Sequence, residues 1–147
     1  MDIPEMLATN EEAVAKLYRA YAIRFINHKD FWNNIAEEEI GHATLIRRCS
    51  DEIVRGLMRL DEKRFTEKTL NVYSDYIERE LAIAHEPRLS LMHALSTALY
   101  IEQSLIENRF LEAFEGGSEE LKKLLSHHGI NEKEHLKKVR LLITRQG

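Results

Sequence analysis

Apolar residues recur every three to four positions along almost the whole chain, and only two prolines and six glycines interrupt them. Strand-like alternation is not sustained anywhere. A period near that of the α-helix gathers such residues into one stripe per helix, so the pattern predicts an all-α protein of long amphipathic helices. With 147 residues, 44% of them hydrophobic and 31% charged, the chain suits one folded domain, 1–147, around a single apolar core.

Four main helical segments are expected. Segment A runs from about residue 10 to 26, with Thr9 and Glu12 as a capping box, and Asn27 to Asp30 form the turn that ends it. An earlier start, with Asp2 capping and Pro4 in the first turn, is the alternative. Segment B starts near Asp30 and continues at least to Cys49, or on to Leu60. Residues 66 to 84 carry a further helical stripe of Leu70, Tyr73, Ile77 and Leu81. Segment C is opened by Pro87 and stopped at Gly116-Gly117. Segment D follows Ser118 and extends to about Thr144, with Gly129 as a place where it kinks or splits. Tight A–B and C–D turns with a long, partly helical B–C crossover describe a four-helix bundle of two antiparallel hairpins.

Each main segment then carries a glutamate where an apolar residue belongs. In B, Glu39 and His42 interrupt the stripe of Trp32, Ile35, Ala36, Ala43 and Ile46. In D, Glu132 and His135 fall among Leu121, Leu125, His128, Leu136 and Val139. Glu102 lies between Leu99 and Leu105 in C, and Glu11 between Leu7 and Val14 in A. Their neighbours Glu12, Glu37 and Glu134 share their helix faces with lysine, arginine or other polar residues, as surface residues do. Burying a carboxylate without a partner costs several kcal/mol, on the order of 2–7 even for a neutral polar group. The inward faces offer no lysine, and the nearest arginine, Arg109, lies two turns beyond Glu102. Metal ions are the natural neutralisers.

The residue types suit that conclusion. Glu39 with His42, and Glu132 with His135, are both Glu-x-x-His pairs, spaced by close to one helical turn so that carboxylate and imidazole share a face. Carboxylates with imidazole nitrogens favour iron or manganese, with zinc as a further alternative. The order Glu, Glu-x-x-His, Glu, Glu-x-x-His repeats with similar spacing, 39 − 11 = 28 and 132 − 102 = 30 residues. Two hairpins so built bring all six side chains to one level, where a two-metal centre fits.

On these residues the chain resembles the ferritin-like superfamily, and within it the rubrerythrin-like di-iron proteins. The matching stretches are Glu11 with Tyr18 seven residues later, Phe31-Trp32 leading to Ala36–His42, and Glu132 to His135. The resemblance implies a ferritin-like four-helix bundle and Glu11, Glu39, His42, Glu102, Glu132 and His135 as ligands of two iron ions. It further implies Tyr18 as a hydrogen-bond partner of a ligating carboxylate. The activity implied is oxidation of ferrous iron by oxygen or hydrogen peroxide, as a peroxidase or ferroxidase. Rubrerythrins carry a rubredoxin domain, which the single cysteine, Cys49, cannot supply, so an external electron donor is expected. Arg109 stands where the third helix often has a second tyrosine. Segment A is short for a cage-forming ferritin and no fifth helix follows D, so a storage shell is not expected.

Two other classes stay open: a non-catalytic iron or manganese carrier or sensor, and a metal-free helical module whose inward glutamates meet a partner's basic side chains. His128 and Glu107 are candidate extra ligands, each with an ordinary core or surface role as the alternative. Net charge is −4 with no basic block, which argues against nucleic acid. No apolar run approaches the roughly 20 residues that cross a bilayer. The N-terminal stretch lacks the regions of a signal peptide, and a cytoplasmic protein is expected. Phe114, Met58 and Tyr76, read as apolar residues left over, suggest a homodimer.

Overall fold

The computed structural model describes the backbone of residues 2–108 and 110–146, with side chains throughout except those of residues 64, 105–111 and 130–132. It is predominantly helical: α1 Ile3–Arg24, α2 Lys29–Val54, α3 Glu67–Ile83, α4 Leu91–Asn108 and α5 Glu119–Gln146. No helix among the described residues is long and apolar enough to cross a membrane.

The first helix takes the earlier of its two predicted starts. The Asp2 side chain accepts from the Glu5 backbone N–H at 3.3 Å, with Pro4 in the first turn, where a missing N–H costs nothing. Thr9 is therefore interior to α1 rather than its cap. Glu12, placed by its spacing opposite Lys16 and Arg19, instead meets the Arg47 guanidinium at 2.8 and 3.0 Å. Arg47 also reaches Glu5 at 3.0 Å, and Arg19 pairs with Glu37 at 2.7 Å. These contacts run antiparallel and tie α1 to α2 along the exposed edge, each worth at most about 1 kcal/mol at such exposure. The larger contribution is apolar. Leu17, Ile35, Ile46 and Trp32 are wholly buried between the two helices and their neighbours, at about 1.5–3 kcal/mol per side chain.

After α2 the chain does what no strand pattern announced. Met58–Leu60 (β1) pairs antiparallel with Phe114–Gly116 (β2), joining the start of the crossover to the link between α4 and α5. Gly116 and Gly117 both hold positive φ, 90° and 85°, and Gly117 N–H donates to Leu57 O at 2.8 Å. The pair predicted to stop a helix thus closes this ribbon instead. Met58 and Phe114 are buried in the core, not left over for a dimer contact, and Tyr76 is half-buried. Thr66 caps α3 through the Thr69 N–H. Pro87 does not open α4: Arg24 donates to the Pro87 carbonyl, which holds the stretch as a turn, and Ser90 caps from the His93 N–H at 3.1 Å. Ser118 caps α5 from the Leu121 N–H, as expected, and α5 continues through Gly129 without a break. Arg109 and the Glu107 side chain lie outside the described residues.

Candidate metal centre

Glu11 sits on the buried stripe of α1 with Leu7, Val14 and Tyr18; Glu39 and His42 share that of α2 with Trp32, Ile35 and Ile46. Glu102 follows Leu95, Ala98 and Ile101 on α4, and His135 precedes Val139 on α5. All five are at most 2% exposed, and four helices therefore deliver polar groups to one interior point. Glu132 belongs to α5 one turn before His135, but its side chain lies outside the described residues.

The five form two overlapping sets. Glu11, Glu39 and His42 each offer a donor atom within 4.8 Å of the others, and so do Glu39, Glu102 and His135. Glu39 belongs to both. His42 Nδ1 stands 3.3 Å from Glu39 Oε2 and 3.4 Å from Glu11 Oε2. Tyr18 donates its hydroxyl to Glu102 Oε1 at 2.7 Å. Glu39 Oε1, Glu102 Oε2 and His135 Nδ1 are buried without a hydrogen bond among the described residues. Interiors seldom leave such atoms unsatisfied, because each costs about 1–3 kcal/mol.

Electrostatics point the same way. Burial, then the adjacent Glu11 carboxylate, pushes Glu39 up to about 8. Burial and Glu39 push Glu102 well above the usual carboxylate range, against the Tyr18 hydrogen bond. For His42 burial opposes the charge, but Glu39 and Glu11 outweigh it and raise the imidazole well above its ordinary value. Burial first, then the charge of His42, lowers His135 to about 4. No lysine or arginine is buried among the described residues. Burial thus favours the protonated forms of Glu39 and Glu102, and a bound cation would favour release of those protons. Three carboxylates and two imidazoles, with oxygen and nitrogen atoms left unsatisfied, are a donor set that fits divalent iron, manganese or zinc.

Two neighbours of the site, Glu38 and Tyr73, were not legible as such, and a third, His128, stood as a candidate extra ligand. Glu38, one residue before Glu39 on α2, is about a third exposed and abuts His135 Nε2. Tyr73 of α3 brings a buried hydroxyl, free of hydrogen bonds among the described residues, into the field of Glu11, Glu39 and Glu102. The apolar stripe marked Tyr73 as inward-facing, but nothing local says which helices a crossover packs against. His128 is half-buried with its ring 5.0 Å from that of His42; burial and His42 lower it to about 4. Cys49 is a buried thiol pushed up to about 12 by burial.

No family model matches the chain, and searches of curated proteins and of solved structures gave no match either.

Proposed function

We propose that the protein is a ferritin-like four-helix bundle holding a two-metal centre, and that it oxidises ferrous iron with oxygen or hydrogen peroxide. The observation that carries this reading is the sharing of Glu39 between two buried donor sets, the arrangement a carboxylate bridging two cations requires. Glu11 and His42 would hold one ion, Glu102 and His135 the other, and Tyr18 would fix the orientation of Glu102. When bound, a ferrous pair supplies two electrons to the oxidant. The chain's own part is to hold the carboxylates close, release their protons as cations arrive, and keep water out with Trp32, Ile35, Ile46 and Leu95. An electron donor outside the chain would return the centre to its ferrous state.

Anaerobic ferrous titration followed by peroxide tests this. The expected result is two irons bound per chain, one peroxide consumed per pair, and loss of both in Glu39→Gln. Stoichiometric binding without oxidation would favour a carrier or sensor, and metal content indifferent to Glu39→Gln would leave only a metal-free interaction module.

A further inference from the structure

Where α1 turns into α2, the 3-10 turn Ile26–His28 holds Ile26 out of the core, 66% exposed. The C-terminal part of α5 likewise leaves Leu141 52% exposed. Single exposed apolar residues are ordinary, but these two line one hollow of about 360 Å³. Phe31 and Leu142, both half-buried, join them in its lining, and Phe31 meets the wholly buried Trp32 edge-on at 4.9 Å.

The charges around this hollow are nearly all of one sign. Lys138, Leu141, Leu142 and Arg145 follow one another at i, i+3, i+4 and i+7 along α5. One helix face therefore offers two leucines flanked by cations, about 10.5 Å apart along the axis. Lys29 of α2 adds a third cation, and Asp30 is the only carboxylate in the lining, in a chain whose net charge is −4. Elsewhere on the surface Arg19, Arg47, Arg59, Lys122 and Lys137 each pair with a glutamate. Lys29, Lys138 and Arg145 make no ion pair or side-chain hydrogen bond among the described residues, although Lys138 lies in the field of Glu38 and His135.

We propose that this hollow binds a small organic carboxylate with an apolar body, its head held by the three cations and its hydrocarbon laid on Ile26, Phe31, Leu141 and Leu142. Such a site is separate from the metal centre and does not rest on it. An inorganic anion would meet only exposed, well-hydrated cations, which gain little from pairing. An uncharged amphiphile would leave three like charges unneutralised beside it. A carboxylate matches the planar fork of an arginine, while its apolar body takes from water the side chains that the chain itself leaves uncovered. The volume lies near the lower end of the roughly 300–1,000 Å³ of small-molecule sites, which suits a short chain or a single ring. A cube of that volume is about 7 Å on edge, too narrow to seat a helix of about 10–12 Å diameter from a second copy.

Isothermal titration calorimetry of the purified protein with octanoate tests this. One octanoate per chain is expected. Octanamide, which lacks the charge, and inorganic phosphate, which lacks the apolar body, should each bind about tenfold more weakly or worse. Hexanoate should bind more weakly by up to about fifteenfold, at roughly fourfold per buried methylene. Lys138→Gln and Arg145→Gln should each weaken octanoate by about fivefold, and Leu141→Asp should abolish its binding. Lys137→Gln should change nothing, since Lys137 pairs with Glu134 and does not line the hollow. All four positions are exposed, so the variants should fold, which circular dichroism checks. No heat with octanoate, equal binding of octanamide, or indifference to the Lys138, Leu141 and Arg145 changes would overturn the site. So would a dimer in sedimentation that Leu141→Asp dissociates, because a second copy would then cover the hollow.

Discussion

Two tyrosines face the same carboxylates under opposite conditions, and they separate hydrogen bonding from burial at the level of single residues. Tyr18 gives its hydroxyl to Glu102, whereas the Tyr73 hydroxyl is buried without a hydrogen bond among the described residues. Tyr18→Phe should destabilise the metal-free protein by about 1–3 kcal/mol, because it also leaves a buried Glu102 oxygen unsatisfied. Tyr73→Phe should change stability by less than about 0.5 kcal/mol or increase it, since removing a buried orphan hydroxyl relieves a cost. Urea unfolding of the two variants checks both. The Tyr18 partnership was implied only by the family resemblance; the inward faces of Glu11, Glu39 and Glu102 were legible because helical periodicity alone decides which side chain points inward. Glu38 and Tyr73 were not, since their relation to the site depends on which helix packs opposite, a distance in space that sequence spacing does not encode.

At the scale of elements, helix existence followed from periodicity, and the ends followed from caps where a polar side chain stood free to bond the first turn. Asp2, Thr66 and Ser118 do so. Thr9 offered the same chemistry but lies inside α1, and Pro87 was displaced as a start by Ser90 three residues on. The β1–β2 ribbon was invisible because three-residue strands carry no period, and their partners are more than fifty residues apart in the chain. Its glycines make a clean contrast with the one in α5. A Cβ at Gly116 would stand 3.1 Å from the Leu57 carbonyl oxygen at a φ of 90°, so Gly116→Ala should cost about 1–3 kcal/mol. A Cβ at Gly129 meets nothing within 4 Å inside a continuous helix, so Gly129→Ala should add about 0.5–1 kcal/mol. Thermal unfolding of the two variants reads the opposite signs; destabilisation by Gly129→Ala would mean that α5 is interrupted there.

Over the whole molecule, five buried donors from four helices make stability depend on pH and metal together. In the metal-free protein Glu39 holds its proton up to about 8, far above an ordinary carboxylate at 4.5. Folded protein therefore binds more protons than unfolded chain across that interval, and stability falls as pH rises through about 8. His135, lowered to about 4 from 6.5, acts the other way: its contribution is complete above 6.5 and is lost as pH falls toward about 4. Above 6.5 only the downward slope remains, reinforced by the raised His42. Metal-free protein should thus lose stability between 6.5 and about 8, as followed by urea unfolding at stepped pH, and excess divalent cation should reverse the slope. A bound ion at one hundred times its dissociation constant adds about 2.7 kcal/mol. Its affinity rises with pH as Glu39 and His42 surrender their protons.

The claim beneath all of this is that the interior carboxylates are arranged around cations. Equilibrium dialysis of the metal-free protein against ferrous iron without oxygen, followed by elemental analysis, measures it directly. Two irons per chain are expected, released as pH falls and absent in Glu39→Gln; a wild-type interior that takes up no stoichiometric metal would contradict the account.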